Sequence, residues 1–151
     1  MSADEVRAYA SVMMEAYAAE LSAHLRVSEE AARARAEASA DQAFPDGHVA
    51  PGNWIYAVED GQGERVGILW LGEADARDTG ALWVLDVEIE PRHRGRGLGR
   101  DAMRLAEAEA QRLGYGRIKL NVFASNLVAR ALYRSLGYEE MSLQLTKEVG
   151  P

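Results

Sequence analysis

The chain of 151 residues contains no cysteine. That excludes disulfides, a thiolate metal site and a cysteine nucleophile together. Histidine is scarce as well: His24, His48 and His93 are far apart and show no ligand spacing, so no resident metal is expected. No run approaches the roughly 18 apolar residues that a membrane span needs. The N-terminus, with Ser2, Asp4 and Glu5, lacks the basic segment followed by an apolar run that marks a signal peptide. A cytoplasmic chain that does not engage membranes is therefore expected. Positive charge is in deficit, at a net −7, and the single basic cluster has no interleaved aromatics, which argues against nucleic acid as a partner. Also missing are the Gly-x-Ser-x-Gly elbow of serine hydrolases, the Gly-Lys-Ser/Thr of a P-loop and the Gly-x-Gly-x-x-Gly dinucleotide fingerprint.

What is present centres on Asp86 to Arg104, DVEIEPRHRGRGLGRDAMR. An apolar strand ends, a turn rich in arginine and glycine follows, and a helix begins near Leu98. Gly95, Gly97 and Gly99 let the backbone turn tightly and bring its N–H groups close to a ligand. The helix directs the positive end of its dipole into the same turn. Between residues 92 and 104, Arg92, Arg94, Arg96, Arg100 and Arg104 stand against Asp101 alone. The pattern predicts a site for a phosphate-bearing ligand; the competing reading of the arginines is a solvated surface.

The remaining chain is long enough for one domain with a core of its own. Ser2 to Leu25 reads as a helix with a Ser2–Glu5 capping box and a stripe of Val6, Tyr9, Met13, Ala16, Tyr17 and Leu21. Ser28 caps a second helix that runs to about Ala43, where Pro45, Asp46 and Gly47 break it. Trp54–Glu59 and Arg65–Leu71 form a hairpin around residues 60–63, and a polar turn spans Glu73 to Gly80. On the strand Ala81–Glu90, strict alternation puts Trp83, Leu85, Val87 and Ile89 on one face and Leu82, Val84, Asp86, Glu88 and Glu90 on the other. Acidic residues on the strand leading into an anion site suggest a second pole, for a cation or a transferable proton; the plainer reading is an exposed strand end. Leu98–Leu113 is a helix with Leu98, Ala102, Leu105, Ala106, Ala110 and Leu113 toward the core, closed by Gly114. Arg117–Phe123 is a strand parallel to the previous one. Asn126–Leu136 is a short helix ended by Gly137, and Tyr138–Lys147 a closing strand with Met141, Leu143 and Leu145 alternating.

Arg94, Gly97 and Gly99 form Arg-x-x-Gly-x-Gly, and LNVFASNLVARALYRSLGY, residues 120–138, follows at a fixed separation. Together these blocks resemble the signature and the second conserved block of the GNAT superfamily of acyl-CoA-dependent N-acyltransferases. The resemblance spans about Trp54 to Lys147. It implies an α/β fold of one domain over 1–151, with a mixed, mostly antiparallel sheet, a splayed parallel strand pair and flanking helices. Residues 1–45 would be a helical acceptor-side region and 54–147 the CoA-binding core. The backbone of Gly95, Arg96, Gly97, Leu98, Gly99 and Arg100 would hold the pyrophosphate of acetyl-CoA, with Arg94 in the signature, and the pantetheine arm would run along Val87, Glu88 and Ile89. Asn126 would contact the cofactor, and Tyr133 would protonate the leaving thiolate. Asn126 as a helix cap and Tyr133 as a core aromatic are the structural alternatives.

The implied reaction is direct attack by a primary amine, of a small molecule or peptide, in a ternary complex. Glu88 is the preferred general base and Asp86 the second. Some relatives place a glutamate on the following strand, at the position of Asn121, where an amide cannot take a proton. The N-terminal helices and the loop around His48 would wall the acceptor site, and a homodimer is an allowed assembly. The alternative function is an acyl-CoA-binding sensor or scaffold without turnover.

Overall fold

Four strands that alternate in the sequence pair into one sheet of order β1-β2-β3-β4 in the computed structural model. It describes residues 2–25, 27–73, 80–147 and 149, with residues 3, 24 and 25 described by backbone alone. The strands are β1 (Asn53–Glu59), β2 (Arg65–Gly72), β3 (Ala81–Ile89) and β4 (Arg117–Leu120). The expected hairpin is β1–β2, antiparallel, with the Asp60 side chain accepting from the N–H groups of Gln62 and Glu64 at 2.9 and 3.1 Å to shape the turn. β2 and β3 are antiparallel, and β3 and β4 are parallel, as the crossover required. Most of the polar turn expected between Glu73 and Gly80, residues 74–79, lies outside the described residues.

Helices α1 (Ala3–Leu25) and α2 (Glu29–Ala43) begin where their caps predict. Ser2 and Glu5 bond reciprocally, N–H to carboxylate at 2.7 Å and N–H to hydroxyl at 3.3 Å. Ser28 Oγ accepts from the Ala31 N–H at 3.2 Å; such caps are worth ~1 kcal/mol each. Val6 and Tyr9 of α1 pack with Ala43, Phe44, Ile55 and Trp70 in one buried cluster on one face of the sheet. Helix α3 (Leu98–Arg112) packs against the sheet, and Tyr56 Oη donates to its Glu109 at 2.5 Å. Because Tyr56 and Ile55 are adjacent on β1, their side chains leave opposite faces, so α1 and α3 cover opposite sides.

The facing of β3 departs from strict alternation. Trp70 pairs with Asp86 but Leu71 with Val84, so Leu85 is an extra residue, a β-bulge. Partners directly across a ladder share a face. Asp86 and Glu88, opposite Trp70 and Ile68, therefore stand with Trp83, opposite Gly72, on the α1 side. Val87, opposite Leu69, and Ile89, opposite Gly67, join Leu82 and Val84 on the α3 side. Gly72, the partner of Trp83, leaves room beside the bulge: a Cβ there would lie 2.5 Å from Leu85 Cδ1 and 2.6 Å from Asn53 Oδ1, so those side chains would have to shift. Thus β3 is aliphatic toward α3 along its whole length, and its carboxylates look the other way.

Two smaller expectations also shift. On α3, Leu105 is 55% exposed while Met103 is fully buried; the buried stripe is Met103 with Ala102, Ala106 and Ala110, three small residues that let the helix lie close to the sheet. The strand expected over Arg117–Phe123 ends at Leu120. Gly114 closes α3 as expected, with φ 89. Its N–H bonds Gln111 O at 3.0 Å and the Tyr115 N–H bonds Ala110 O at 2.9 Å, a Schellman pair.

By contacts the chain divides into two compact units, Met1–Asn121 and Val122–Pro151. The first holds the sheet and α1 to α3. The second holds α4 (Leu127–Ser135), closed by Gly137 at φ 91. No strand forms over residues 138–147, against expectation: they enter no ladder among the described residues, and Met141, Leu143 and Leu145 are exposed. Alternation sets which side chains share a face, but only pairing with a free strand edge makes a strand.

Candidate active site

The turn after β3 is shaped by backbone and latched by side chains. Residues Pro91–His93 form a 3-10 turn, and the Arg94 Nε donates to Ile89 O at 2.8 Å, folding the signature arginine back over the end of β3. Gly95 and Gly97 adopt φ of 75 and 85, a region that costs other residues about 1 kcal/mol or more. A Cβ at either position meets no atom within 4 Å, so the protein interior makes no demand for their smallness. The demand is conformational, and the space above them is open to a ligand. Gly97 also caps α3 without any side chain, while Gly99 lies inside the first helical turn. Among the described residues, no N–H from Gly95 to Gly99 enters a backbone hydrogen bond; the Arg100 N–H is already spent on Gly97 O at 2.9 Å. Orphan amides, a helix dipole and open space above two glycines are the features of an anion cradle.

The arginines contribute less net charge than their number suggests. Arg92 bonds Glu90 at 3.0 Å and lies 3.4 Å from Glu64, Arg94 lies 3.5 Å from Glu88, and Arg104 is 3.7 Å from Asp101. Glu88 and Glu90 at the end of β3, and Glu64 from the β1–β2 turn, thus offset the cluster that appeared to face Asp101 alone. The cradle is made chiefly of main chain, with Arg96 and Arg100 as its nearest further cations.

The α1 side of β3 carries the carboxylates of Asp86 and Glu88. Asp86 is half-buried and accepts a 2.5 Å hydrogen bond from the Tyr9 hydroxyl of α1. Burial pushes its carboxyl above the usual range, against the opposing effect of the Tyr9 and Val87 hydrogen bonds. Burial, and then the negative charge of Asp86, pushes the Tyr9 phenol upward, so it remains a donor. Glu88 is more open. It lines a cleft of about 150 Å³ with Arg65, Gly67, Ile68 and Glu90. The Glu90 N–H bonds Val66 O at 2.9 Å, so alternation turns the N–H groups of Val87 and Ile89 toward the other edge of β3. There β4 ends its pairing at Val84–Leu120, leaving the last turn of β3 without a strand partner on that side.

Asp86, Val87, Glu88, Ile89 and Arg94 to Arg100 are therefore brought together within the first unit. Asn126 and Tyr133 belong to the second. There Asn126 Oδ1 accepts from the Ala129 N–H at 3.1 Å, capping α4. Tyr133 O accepts from the Tyr138 N–H at 3.0 Å, and the two rings lie 5.8 Å apart. That is the apolar contact that accompanies a Schellman closure. Both residues thus hold local structural roles. No group of three or more His, Asp or Glu able to hold a metal comes together among the described residues, and no described helix is long and apolar enough to cross a membrane.

Two residues that pattern alone did not single out belong to this region. Tyr9 reads as one more member of an apolar stripe; its phenol, 77 residues before its partner Asp86, gives no local signal. His93 follows the strand end and is buried at 5% exposure; its position one residue before the signature arginine is the only hint.

Comparison with known proteins agrees with this geometry. The model of the acetyltransferase (GNAT) family matches residues 11–138. The N-acetyltransferase YdgE of Bacillus subtilis is 25% identical over 149 residues, covering 99% of this chain and 95% of the relative. The mycothiol acetyltransferase of Beutenbergia cavernae is 36% identical over 85 residues, 56% of this chain and 28% of that protein. The crystal structure of YycN from Bacillus subtilis superposes with a TM-score of 0.89 at 23% identity, over 100% of this chain and 96% of that one. AAC(6′)-Iy, solved with the bisubstrate analogue CoA-S-monomethyl-acetylneamine, gives 0.57 at 12% identity, over 78% of this chain and 80% of that one. The chain belongs to the acetyltransferase (GNAT) family and is an acetyl-CoA-dependent acyltransferase.

Proposed function

We propose that the protein transfers the acetyl group of acetyl-CoA to a primary amine of a small molecule or peptide, by direct attack in a ternary complex. One observation carries the reading: the glycine turn between β3 and α3, whose N–H groups from Gly95 to Gly99 enter no backbone bond and whose Cβ positions at Gly95 and Gly97 are open. Such a cradle fits the CoA pyrophosphate. The residues that would hold it are Gly95, Arg96, Gly97, Leu98 and Gly99, with Arg94 shaping the turn from behind and Arg100 adding charge. Acetyl-CoA supplies an activated thioester, and everything else is the work of this chain.

The backbone of Val87, Glu88 and Ile89 runs along the edge of β3 that β4 leaves uncovered, so it would take the pantetheine amides, and the Ile89 N–H would polarise the thioester carbonyl. Glu88, in the cleft, would take the proton that the attacking amine must lose, directly or through a water. Asp86, on the same face and fixed by Tyr9, adds negative potential that favours a cationic amine. The roles of Asn126 as a cofactor contact and of Tyr133 as proton donor to the CoA thiolate rest on the resemblance. A phenol with a pKa near ~10 suits a thiolate of comparable basicity.

One relative is a mycothiol acetyltransferase, and AAC(6′)-Iy, of similar fold, was solved with the bisubstrate analogue CoA-S-monomethyl-acetylneamine; both support amines as the acceptor class. Acetyl-CoA offered with a panel of small-molecule and peptide amines, and release of free thiol, tests the reading. Thiol release that depends on an amine is expected, and binding of CoA with no turnover on any amine would overturn it. Glu88→Gln should lower kcat/KM by about 10²-fold or more, the scale of a general base. Tyr133→Phe should lower kcat with little change in KM for acetyl-CoA. Gly97→Glu, which places a carboxylate and a strained φ in the cradle, should raise that KM by about tenfold or more. Unchanged KM would remove the pyrophosphate from this turn.

A further inference from the structure

Among the described residues His93 is the one polar or charged side chain in the buried core, 5% exposed, and the acyl-transfer chemistry does not use it. It ends the 3-10 turn Pro91–His93, immediately before the glycine turn. Its Nδ1 lies 3.1 Å from Arg96 Nη1. A guanidinium only donates and does not give up its proton. Nδ1 must therefore be the acceptor, which leaves the ring neutral with its proton on Nε2. The buried Nε2 makes no hydrogen bond; the nearest carboxylate, Glu64, stands 3.5 Å away.

Arg96 sits between Gly95 and Gly97, the two residues with left-handed φ. Neither glycine has a side chain to hold the turn, and the space around both is open. The Arg96–His93 bond is thus a brace that ties the middle of the turn to the protein interior. We propose that His93 is a positioning residue of the CoA cradle: by accepting from Arg96 through Nδ1 it fixes the shape of the glycine turn, and loss of that acceptor loosens the turn and weakens CoA binding. This rests on the reading that the turn holds the CoA pyrophosphate.

The test is calorimetric titration of the full chain with CoA at pH 8. His93→Leu should bind about tenfold more weakly than the wild type, the worth of one charge-assisted hydrogen bond. His93→Asn, whose Oδ1 can accept where Nδ1 did, should bind as tightly as wild type, a rescue that filling the core alone would not give. Arg96→Ala should also bind weakly, and adding His93→Leu to it should change nothing more. A folded His93→Leu with wild-type affinity overturns the proposal, as does a further loss when it is added to Arg96→Ala. If His93→Leu does not fold, a loss of about tenfold in His93→Asn overturns it. Failure of the wild type to bind CoA at pH 8 overturns the pyrophosphate reading, and this proposal with it.

Discussion

At the scale of single residues, the hydrogen bond from Tyr9 to Asp86 gives the sharpest expectation. Burial raises the Asp86 carboxyl while the Tyr9 hydroxyl lowers it. A carboxyl raised in the folded state binds its proton more tightly there than in the unfolded chain, so its ionisation costs stability as pH rises through its titration. Tyr9→Phe removes the main compensation. It should lower stability by about 1–3 kcal/mol at pH 8, the cost of a buried acceptor left without its donor, and by less at pH 4, because the raised carboxyl takes up its proton as the pH falls. Thermal unfolding at the two pH values checks this; an equal loss at both would show that the phenol acts through packing alone. Little of this was legible beforehand, because a tyrosine on an apolar stripe carries the same pattern whether or not its hydroxyl finds a partner. The glycine turn was legible because its demands are local. The left-handed φ of Gly95 and Gly97 follows from residues within a few positions of one another.

At the scale of elements, the caps, the hairpin and the parallel pairing of β3 with β4 could be read from the chain, since each depends on near neighbours or on crossover handedness. The facing of β3 could not. Its bulge at Leu85 exists only in relation to β2, where Trp70 and Leu71 take Asp86 and Val84 as partners, and no count along one strand reveals an unpaired residue. The strand expected over residues 138–147 failed for the same reason, since alternation does not supply an edge. Deleting Leu85 provides a test of what the bulge does. Without it Val84 and Asp86 become consecutive and keep their present partners, so the two faces of β3 retain their residues. The variant should therefore fold, with a wild-type circular dichroism spectrum. The local bend and twist that a bulge imposes would be lost, and acetyl transfer should fall by at least about tenfold, in line with the sensitivity of catalysis to displacements of ~1 Å. Full activity in the deletion would mean that the bulge serves packing only.

At the scale of the whole molecule, the two poles of the site differ in how far apart their parts lie along the chain. The donor pole is continuous: β3, the glycine turn and α3 occupy residues 81–112. The acceptor pole joins α1 to β3 through Tyr9 and Asp86, 77 residues apart. Closing so long a loop costs more entropy than forming neighbouring contacts, and contacts of long sequence separation tend to form late. The expected order of assembly is therefore β3, the glycine turn and α3 first, and the contact of α1 with β3 second. Pulse-labelled hydrogen exchange during refolding should find the amides of β3 and α3 protected before those of α1, and simultaneous protection would refute that order. By the same reasoning partial unfolding should release α1 first. The hydrogen bond between Tyr9 and Asp86 then acquires a temporal meaning: a chain caught part-folded would present a finished glycine turn, the proposed seat for CoA, beside a face of β3 that α1 does not yet cover.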